Sequence, residues 1–384
     1  MDWGGSNRET QVTVSSVAAL LETPGVVALD AIEFEEPGPG QVLLRMVAAG
    51  ICHTDLHIRD STDGWGRGFP MLLGHEGAGI VEAVGPGVLT LAPGDRVAIG
   101  CRVPCGVCAL CRRGNPRRCA TSAPAAPRLV RAGDGAPVTA AFGIGLFAER
   151  ILVDADAAVR VEAGVPLEHA AMFGCALMTG VGAVMNTARV FPGATVAVVG
   201  CGGIGLSVVQ GARLAHASRI VAIDVSAAKL QWARELGATD VVDSSTADPV
   251  QAVFDLTQGL GIDFAFEAVG LSACVDQCLR MLSYAGVATI IGVPHDGRTL
   301  ELGLGGPDGF FSRTKSLLVT HGGDSLPQQD LPVLGHLAMQ GMLSMERMIT
   351  HRVGLADLED GFDLMRAAKS IRTVVSFGDE SDVR

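Results

Sequence analysis

Hydrophobic positions change rhythm twice along the chain. From Val12 to about Ile99 they come in short runs rich in β-branched residues, such as Gln41–Val47 and Ile80–Val84. Turn signals, among them Pro37-Gly-Pro-Gly40 and Pro93-Gly-Asp95, separate the runs. Short strands at this spacing predict a barrel-like or sandwich β unit. Residues 120–140, rich in Ala, Pro and Arg, read as a loop, and strand character resumes at Ala148–Val153. A helical pattern follows from Glu168 to Asn186. At Thr195 the pattern changes again. Val196–Val199 is continuously apolar, as a strand buried on both faces requires. Helical character runs from Leu206 to about His216. Strand-like Arg219–Ile223, Thr239–Asp243, Phe264–Glu267 and Val287–Gly292 then alternate with helical stretches. Such alternation predicts an α/β unit with a doubly wound parallel sheet. Helical character returns from about Leu331, and strand-like Thr373–Phe377 closes the pattern. No long internal repeat is present.

Length and composition narrow the class. A chain of 384 residues exceeds one ordinary core and implies two domains. It is 48% hydrophobic and 18% charged, so it can bury that much core. A net charge of −12 with no long basic run argues against nucleic acid as a partner, and the Arg112-Arg113 and Arg117-Arg118 pairs read as solvated loop charges. No apolar run reaches the length of a membrane span. Residues 1–11 read as a loose polar leader without the apolar centre of a signal peptide, which predicts a cytoplasmic protein. There, ten cysteines are metal ligands and buried thiols rather than disulfides.

Three groups of residues carry chemistry. The first is Cys52-His53-Thr54-Asp55-Leu56-His57 with His75-Glu76 further on; zinc favours Cys and His, and a catalytic zinc keeps three protein ligands and one open position. Cys52 and His75 supply two, and Cys175 is the best candidate for the third. The second is Cys105, Cys108, Cys111 and Cys119, whose close spacing suits a closed, structural zinc shell; an iron–sulfur cluster and four unrelated buried thiols are the alternatives. The third is Gly200-Cys-Gly202-Gly203-Ile204-Gly205 between a strand and a helix, followed by Asp224 at the end of the next strand. In that setting the glycines admit a pyrophosphate to a helix N-terminus, and the acid binds the adenosine ribose and disfavours a 2′-phosphate, so NAD is favoured over NADP. Cys101, Cys201, Cys274 and Cys278 read as small buried side chains.

Taken together, these motifs and Ser370-Ile-Arg-Thr373 resemble those of the zinc-dependent medium-chain alcohol dehydrogenases, over about Val12 to Phe377. The resemblance implies a GroES-like, β-rich catalytic domain over residues 1–180 with a zinc lobe at about 101–120. It implies a Rossmann NAD domain over 181–325 and a return to the catalytic domain over 326–384. It implies catalytic zinc on Cys52, His75 and Cys175, structural zinc on the other four cysteines, and Asp55 holding the His75 imidazole. Glu76 is implied as the acid beside the metal, and Thr54 and His57 as a proton relay. His53 and Arg372 are implied at the cofactor pyrophosphate, Thr179, Ile204 and Val293 at the nicotinamide, and Lys229 at the adenosine ribose. The implied reaction is hydride transfer between NAD and a small alcohol held on zinc as its alkoxide, giving an aldehyde or ketone, in a homodimer or homotetramer. Two departures bear on substrate. Some relatives that act on thiol adducts of formaldehyde have a similar His-Thr-Asp sequence but lack a histidine at the place of His57, which favours ordinary primary alcohols and aldehydes, and Ala176 stands where many relatives have glycine. Cys101 corresponds to a substrate-pocket position, and His321 lies near the second domain crossing. The alternatives are a formaldehyde dehydrogenase using a glutathione or mycothiol adduct, and a zinc- and NAD-binding protein without turnover.

Overall fold

The computed structural model describes residues 13–121, 123–294 and 297–378; the leader expected over residues 1–11 lies outside them. Among the described residues, three sheets form. Thr195–Val199, Arg219–Asp224, Asp240–Asp243, Ile262–Glu267, Leu282–Ile290 and Ser316–Val319 make a six-stranded, all-parallel sheet. Numbered within the sheet, its order is 3-2-1-4-5-6, the doubly wound arrangement whose ligand crevice lies where the order reverses. The crevice therefore falls beyond the ends of Thr195–Val199 and Ile262–Glu267. The continuous apolar run has a direct cause: Val196 and Val198 enter the core on one face, Ala197 and Val199 that on the other.

The second sheet has seven strands, ordered Ala158–Arg160, Arg96–Ile99, Glu76–Val84, Gln41–Gly50, Arg372–Ser376 and Ile349–Gly354, with Arg150–Asp154 also on Gln41–Gly50. The C-terminal strand lies beside Gln41–Gly50, with Val374 opposite Gly50. This pairing brings Arg372 under the segment that carries Cys52. Thr13–Thr23, Val26–Glu35, Leu129–Arg131, Pro137–Ala140 and Met71–Leu72 close a small barrel.

Four expectations need correction. Residues 120–140 are not all loop. Leu129–Arg131 and Pro137–Ala140 form a hairpin that closes the barrel, with Leu129, Val138 and Ala140 buried and Arg131 fixed on Asp134 across the turn at 2.8 Å. The helix expected from Leu206 spans Gly203–Leu214. The helix expected at Glu168–Asn186 runs from Leu167 to Ala188 through two widened, π-type turns, Phe173–Leu177 and Ala183–Ala188. This 22-residue helix is long and apolar enough to cross a membrane by length and composition, contrary to the expectation that no run would be, and 83% of its apolar window is buried within the protein.

Candidate active site

Cys52 ends the Gln41–Gly50 strand region and caps the helix His53–Asp60 in an extended conformation. The cap is closed by Asp55, whose Oδ2 accepts the Cys52 N–H at 3.1 Å. Its other oxygen accepts the Gly74 N–H at 3.1 Å and faces His75 Nδ1 at 3.1 Å. One fully buried carboxylate thus fixes both segments, and directs Nε2 of His75 away from itself. Gly74 is required here: its φ is +94°, and a Cβ would meet Phe147 N at 2.9 Å.

Cys175 enters from the other side, in the widened turn Phe173–Leu177, a form that recurs at functional sites. Gly174 lets it approach, since a Cβ there would lie 1.7 Å from Ile99 O. Candidate ligand atoms of Cys52, His75, Glu76 and Cys175 all lie within 4.8 Å of one another. Two thiols, an imidazole and a carboxylate this close in a buried site suit a divalent cation, and the set matches zinc. The groups strongly affect one another's protons. The bond from Cys175 draws the Cys52 thiol well below its usual range, while Cys175 is pushed well above. Burial disfavours the His75 imidazolium, but Asp55 and Cys52 outweigh it and raise its pKa well above the ordinary value.

Glu76 is fully buried, and burial raises its pKa to about 7 against the opposing pull of Arg372. Arg372 Nη2 lies 3.0 Å from Glu76 Oε1, a charge contact without hydrogen-bond geometry. The same guanidinium donates to Ile51 O and lies against Gly203, where a Cβ would meet Nε at 2.6 Å. Arg372 therefore spans from the thiol–imidazole cluster to the N-terminus of the Gly203–Leu214 helix. His53 opens onto this crevice. Its crowded walls, with the nearby Arg372 and Lys229 cations, lower its pKa to about 4 despite the Cys52 thiolate.

The nucleotide side has the form of a cradle. Gly200 has φ +93°, a Cβ on Gly205 would lie 1.8 Å from Gly200 O, and a Cβ on Gly202 would meet nothing within 4 Å. The open space at Gly202 and the 12-residue helix behind it fit a pyrophosphate. Asp224 already accepts the Cys201 N–H at 2.7 Å and the Ser226 N–H at 2.9 Å, one on each oxygen, which leaves lone pairs for a ribose. Thr179 is buried on the Leu167–Ala188 helix, which packs at Gly180 against Ile204 and Ser207. A cavity of about 540 Å³ is lined by His57, Asp60, Ser61, Trp65, Val293 and Pro294. It joins the helix behind Cys52 to the nucleotide-binding part. Thr54, half-buried, is three residues before His57 on that helix. Trp65, Pro294 and Phe142, whose ring packs on His75 at 4.9 Å, were not singled out from the sequence; an aromatic set among glycines between two ligand motifs is the signal that could have found Trp65. Cys101 is half-buried, its Sγ 3.8 Å from Gly174 O, and burial raises its pKa.

The four-cysteine lobe is a separate site. Cys119 Sγ lies 3.5 Å from Cys105 Sγ and 3.9 Å from Cys108 Sγ. A tetrahedron with Zn–S arms of about 2.3 Å has edges of about 3.8 Å, so the group fits zinc. Backbone N–H groups of Cys105, Cys108 and Cys111 point at sulfur, and Cys105 is lowered to about 6 by its hydrogen bonds, led by Thr121. Arg117 on Asp330 and Arg118 on Asp324 anchor the lobe.

Fold and sites together define a two-part dehydrogenase: a β-rich part with two thiol clusters, and a dinucleotide-type sheet. Residues 38–163 match the model of the alcohol dehydrogenase GroES-like domain, and residues 203–338 that of the zinc-binding dehydrogenases. An S-(hydroxymethyl)glutathione dehydrogenase of Synechocystis sp. is 35% identical over 380 residues, covering 94% of this chain and all of that protein. Among solved structures, an alcohol dehydrogenase zinc-binding domain protein from Burkholderia ambifaria is 32% identical with a TM-score of 0.88, covering 96% of this chain and all of that one. Benzyl alcohol dehydrogenase from Acinetobacter calcoaceticus is 30% identical with a TM-score of 0.86, covering 95% and all. The chain belongs to the zinc-dependent medium-chain alcohol dehydrogenase family, and is an oxidoreductase of that family.

Proposed function

We propose that this protein oxidises an alcohol to an aldehyde or ketone, or runs the reverse reduction, with NAD as cofactor and zinc on Cys52, His75 and Cys175. The observation that carries the reading is the convergence of these three residues, remote in sequence, at the base of a helix whose His57 lines one cavity with Val293. When bound, zinc polarises the substrate oxygen and NAD exchanges the hydride. Asp55 holds the tautomer and orientation of His75. Thr54 takes the hydroxyl proton, and His57, its i+3 neighbour at the cavity, carries it towards solvent. His53, Arg372 and Lys229 gather positive charge for the pyrophosphate, Gly200, Gly202, Gly203 and Gly205 make room for it, and Asp224 receives the ribose. Thr179, Ile204 and Val293 line the nicotinamide. Cys105, Cys108, Cys111 and Cys119 hold a structural zinc.

Domain boundaries near residues 180 and 325 agree with a parallel sheet confined to Thr195–Val319. A homodimer through this part has in its favour the sheet edge Ser316–Val319, which no strand covers among the described residues. The thiol-adduct reaction is the second reading, favoured by the 35% identical full-length relative.

The test is Cys52→Ser with metal analysis, NADH binding and turnover. Turnover should vanish and one of two zinc equivalents should be lost, with NADH still bound. Undiminished activity would refute the ligand assignment. Rates on formaldehyde with and without glutathione or mycothiol separate the two reactions, and no turnover on any alcohol or aldehyde would favour a purely binding role.

A further inference from the structure

Between the two ligand segments lies Gly64-Trp65-Gly66-Arg67-Gly68. It is a compact turn, with the Arg67 N–H on Gly64 O at 3.3 Å and the Gly68 N–H on Asp63 O at 3.2 Å. Backbone φ is left-handed at Gly64, Trp65, Gly66 and Gly68, at 61°, 57°, 74° and 77°. A tryptophan in that region is strained, and strain of this kind gathers where a side chain must be aimed. Here Trp65 lines the same cavity as Val293 and Pro294.

Two residues on, the exposed Arg67 guanidinium lies over Phe142, with Cζ 5.4 Å from the ring centroid. Phe142 in turn packs on the imidazole of His75, centroids 4.9 Å apart at 56°. One phenyl ring therefore separates a cation from a residue of the thiol–imidazole cluster. A cation–π contact uses none of the guanidinium's N–H hydrogen bonds, so its fork of donors can still receive a carboxylate. Asp60, the acid on the cavity wall, is already paired with Arg59 at 2.5 Å and Arg366 at 2.8 Å. Among the described residues, no ion pair or hydrogen bond engages the Arg67 side chain.

We propose that Arg67 is a specificity-determining residue that receives a carboxylate of the substrate. The alcohol taken by this enzyme then has an apolar body, held between Trp65 and Phe142, and an anionic end opposite its hydroxyl. This rests on the alcohol-oxidation reading. The carboxylate could belong to an aromatic acid or to a thiol peptide adduct, and the assay separates them.

Initial rates of the zinc-loaded enzyme with NAD are compared on benzyl alcohol, 4-(hydroxymethyl)benzoate, and formaldehyde plus glutathione, for wild type, Arg67→Met and Arg67→Lys. The expected result is a wild-type kcat/KM higher for a carboxylate-bearing substrate than for benzyl alcohol. In Arg67→Met that ratio falls about ten- to a hundredfold, as loss of a charged hydrogen bond predicts, mainly through KM, and Arg67→Lys restores part of it. A fall confined to the benzoate assigns an aromatic acid; one confined to the glutathione arm assigns the peptide; both support the proposal. A ratio unchanged in Arg67→Met, or no wild-type preference for either carboxylate, overturns it while leaving alcohol oxidation standing. Absence of turnover on every substrate removes both.

Discussion

Gly202 and Gly205 belong to one motif, yet alanine at each should have opposite consequences. Gly202 precedes the Gly203–Leu214 helix with φ −77° and ψ −171°, extended backbone that alanine adopts freely, and its Cβ would touch nothing within 4 Å. Alanine is a poorer helix cap than glycine by about 0.5–1 kcal/mol, and replacing glycine gains about 0.4–1 kcal/mol by restricting the unfolded chain. The folded state of Gly202→Ala should therefore lie within about 1 kcal/mol of wild type. The empty space is where we place the pyrophosphate, so the added methyl removes one or more charged hydrogen bonds. At about 1.5–3 kcal/mol each, NADH should bind at least about tenfold more weakly. Gly205→Ala instead puts a Cβ 1.8 Å from Gly200 O, backbone against backbone. Helix and loop must separate, at a cost of about 1–3 kcal/mol or more. Urea unfolding gives the stabilities, and quenching of protein fluorescence by NADH gives the affinity. Undiminished NADH binding by folded Gly202→Ala would refute the placement of the cofactor. A Gly205→Ala protein as stable as wild type would refute the close contact.

The Arg372–Glu76 pair, both side chains at most 3% exposed, should lose about 3–5 kcal/mol in Arg372→Met, because a buried carboxylate is left without its cation. Arg372→Met with Glu76→Gln should recover part of this in urea unfolding, and strict additivity would mean that the two do not interact. Cys111→Ser should remove one zinc per chain and lower the melting temperature, measured by metal analysis and calorimetry; unchanged zinc would argue against a four-cysteine site. Glu267 is buried with Oε1 accepting the Val269 and Gly270 N–H groups, and burial raises its pKa above 4.5 despite these bonds. A carboxyl raised on folding contributes full stability below its unfolded value and loses it as pH rises through the folded one. Glu267→Gln should therefore match wild type best at acid pH and become the more stable of the two as pH rises; parallel urea midpoints at all pH values would contradict this.

What could be read from the sequence divides by the range of the contacts involved. Cys52 and the four-cysteine lobe stand in local motifs, because each segment is a turn or helix cap held by its own neighbours, as Cys52 is by Asp55; His75 is legible as a short Gly-His-Glu motif although Asp55 holds it from twenty residues away. The glycine motif was legible for the same reason, since Gly200 and Gly205 are in contact with each other. The hairpin Leu129–Ala140 was not, because strands of three and four residues carry too few positions to display a period, and its pairing partners lie far back in the chain. The contact of Arg372 with Glu76, and that of Arg67 with Phe142, are tertiary: no periodicity or spacing carries either. Most of the residues we assign to metal and dinucleotide stand in short motifs, so they leave a local signature, although Cys175 and Arg372 reach the site from remote segments. Of the residues we assign to substrate choice, Trp65, Arg67 and Phe142, the last two meet only after the barrel closes around Met71–Leu72. A family pattern therefore announces the reaction while the choice of alcohol is written in contacts between loops, and substitutions at those three positions should redirect specificity without touching a single recognisable motif.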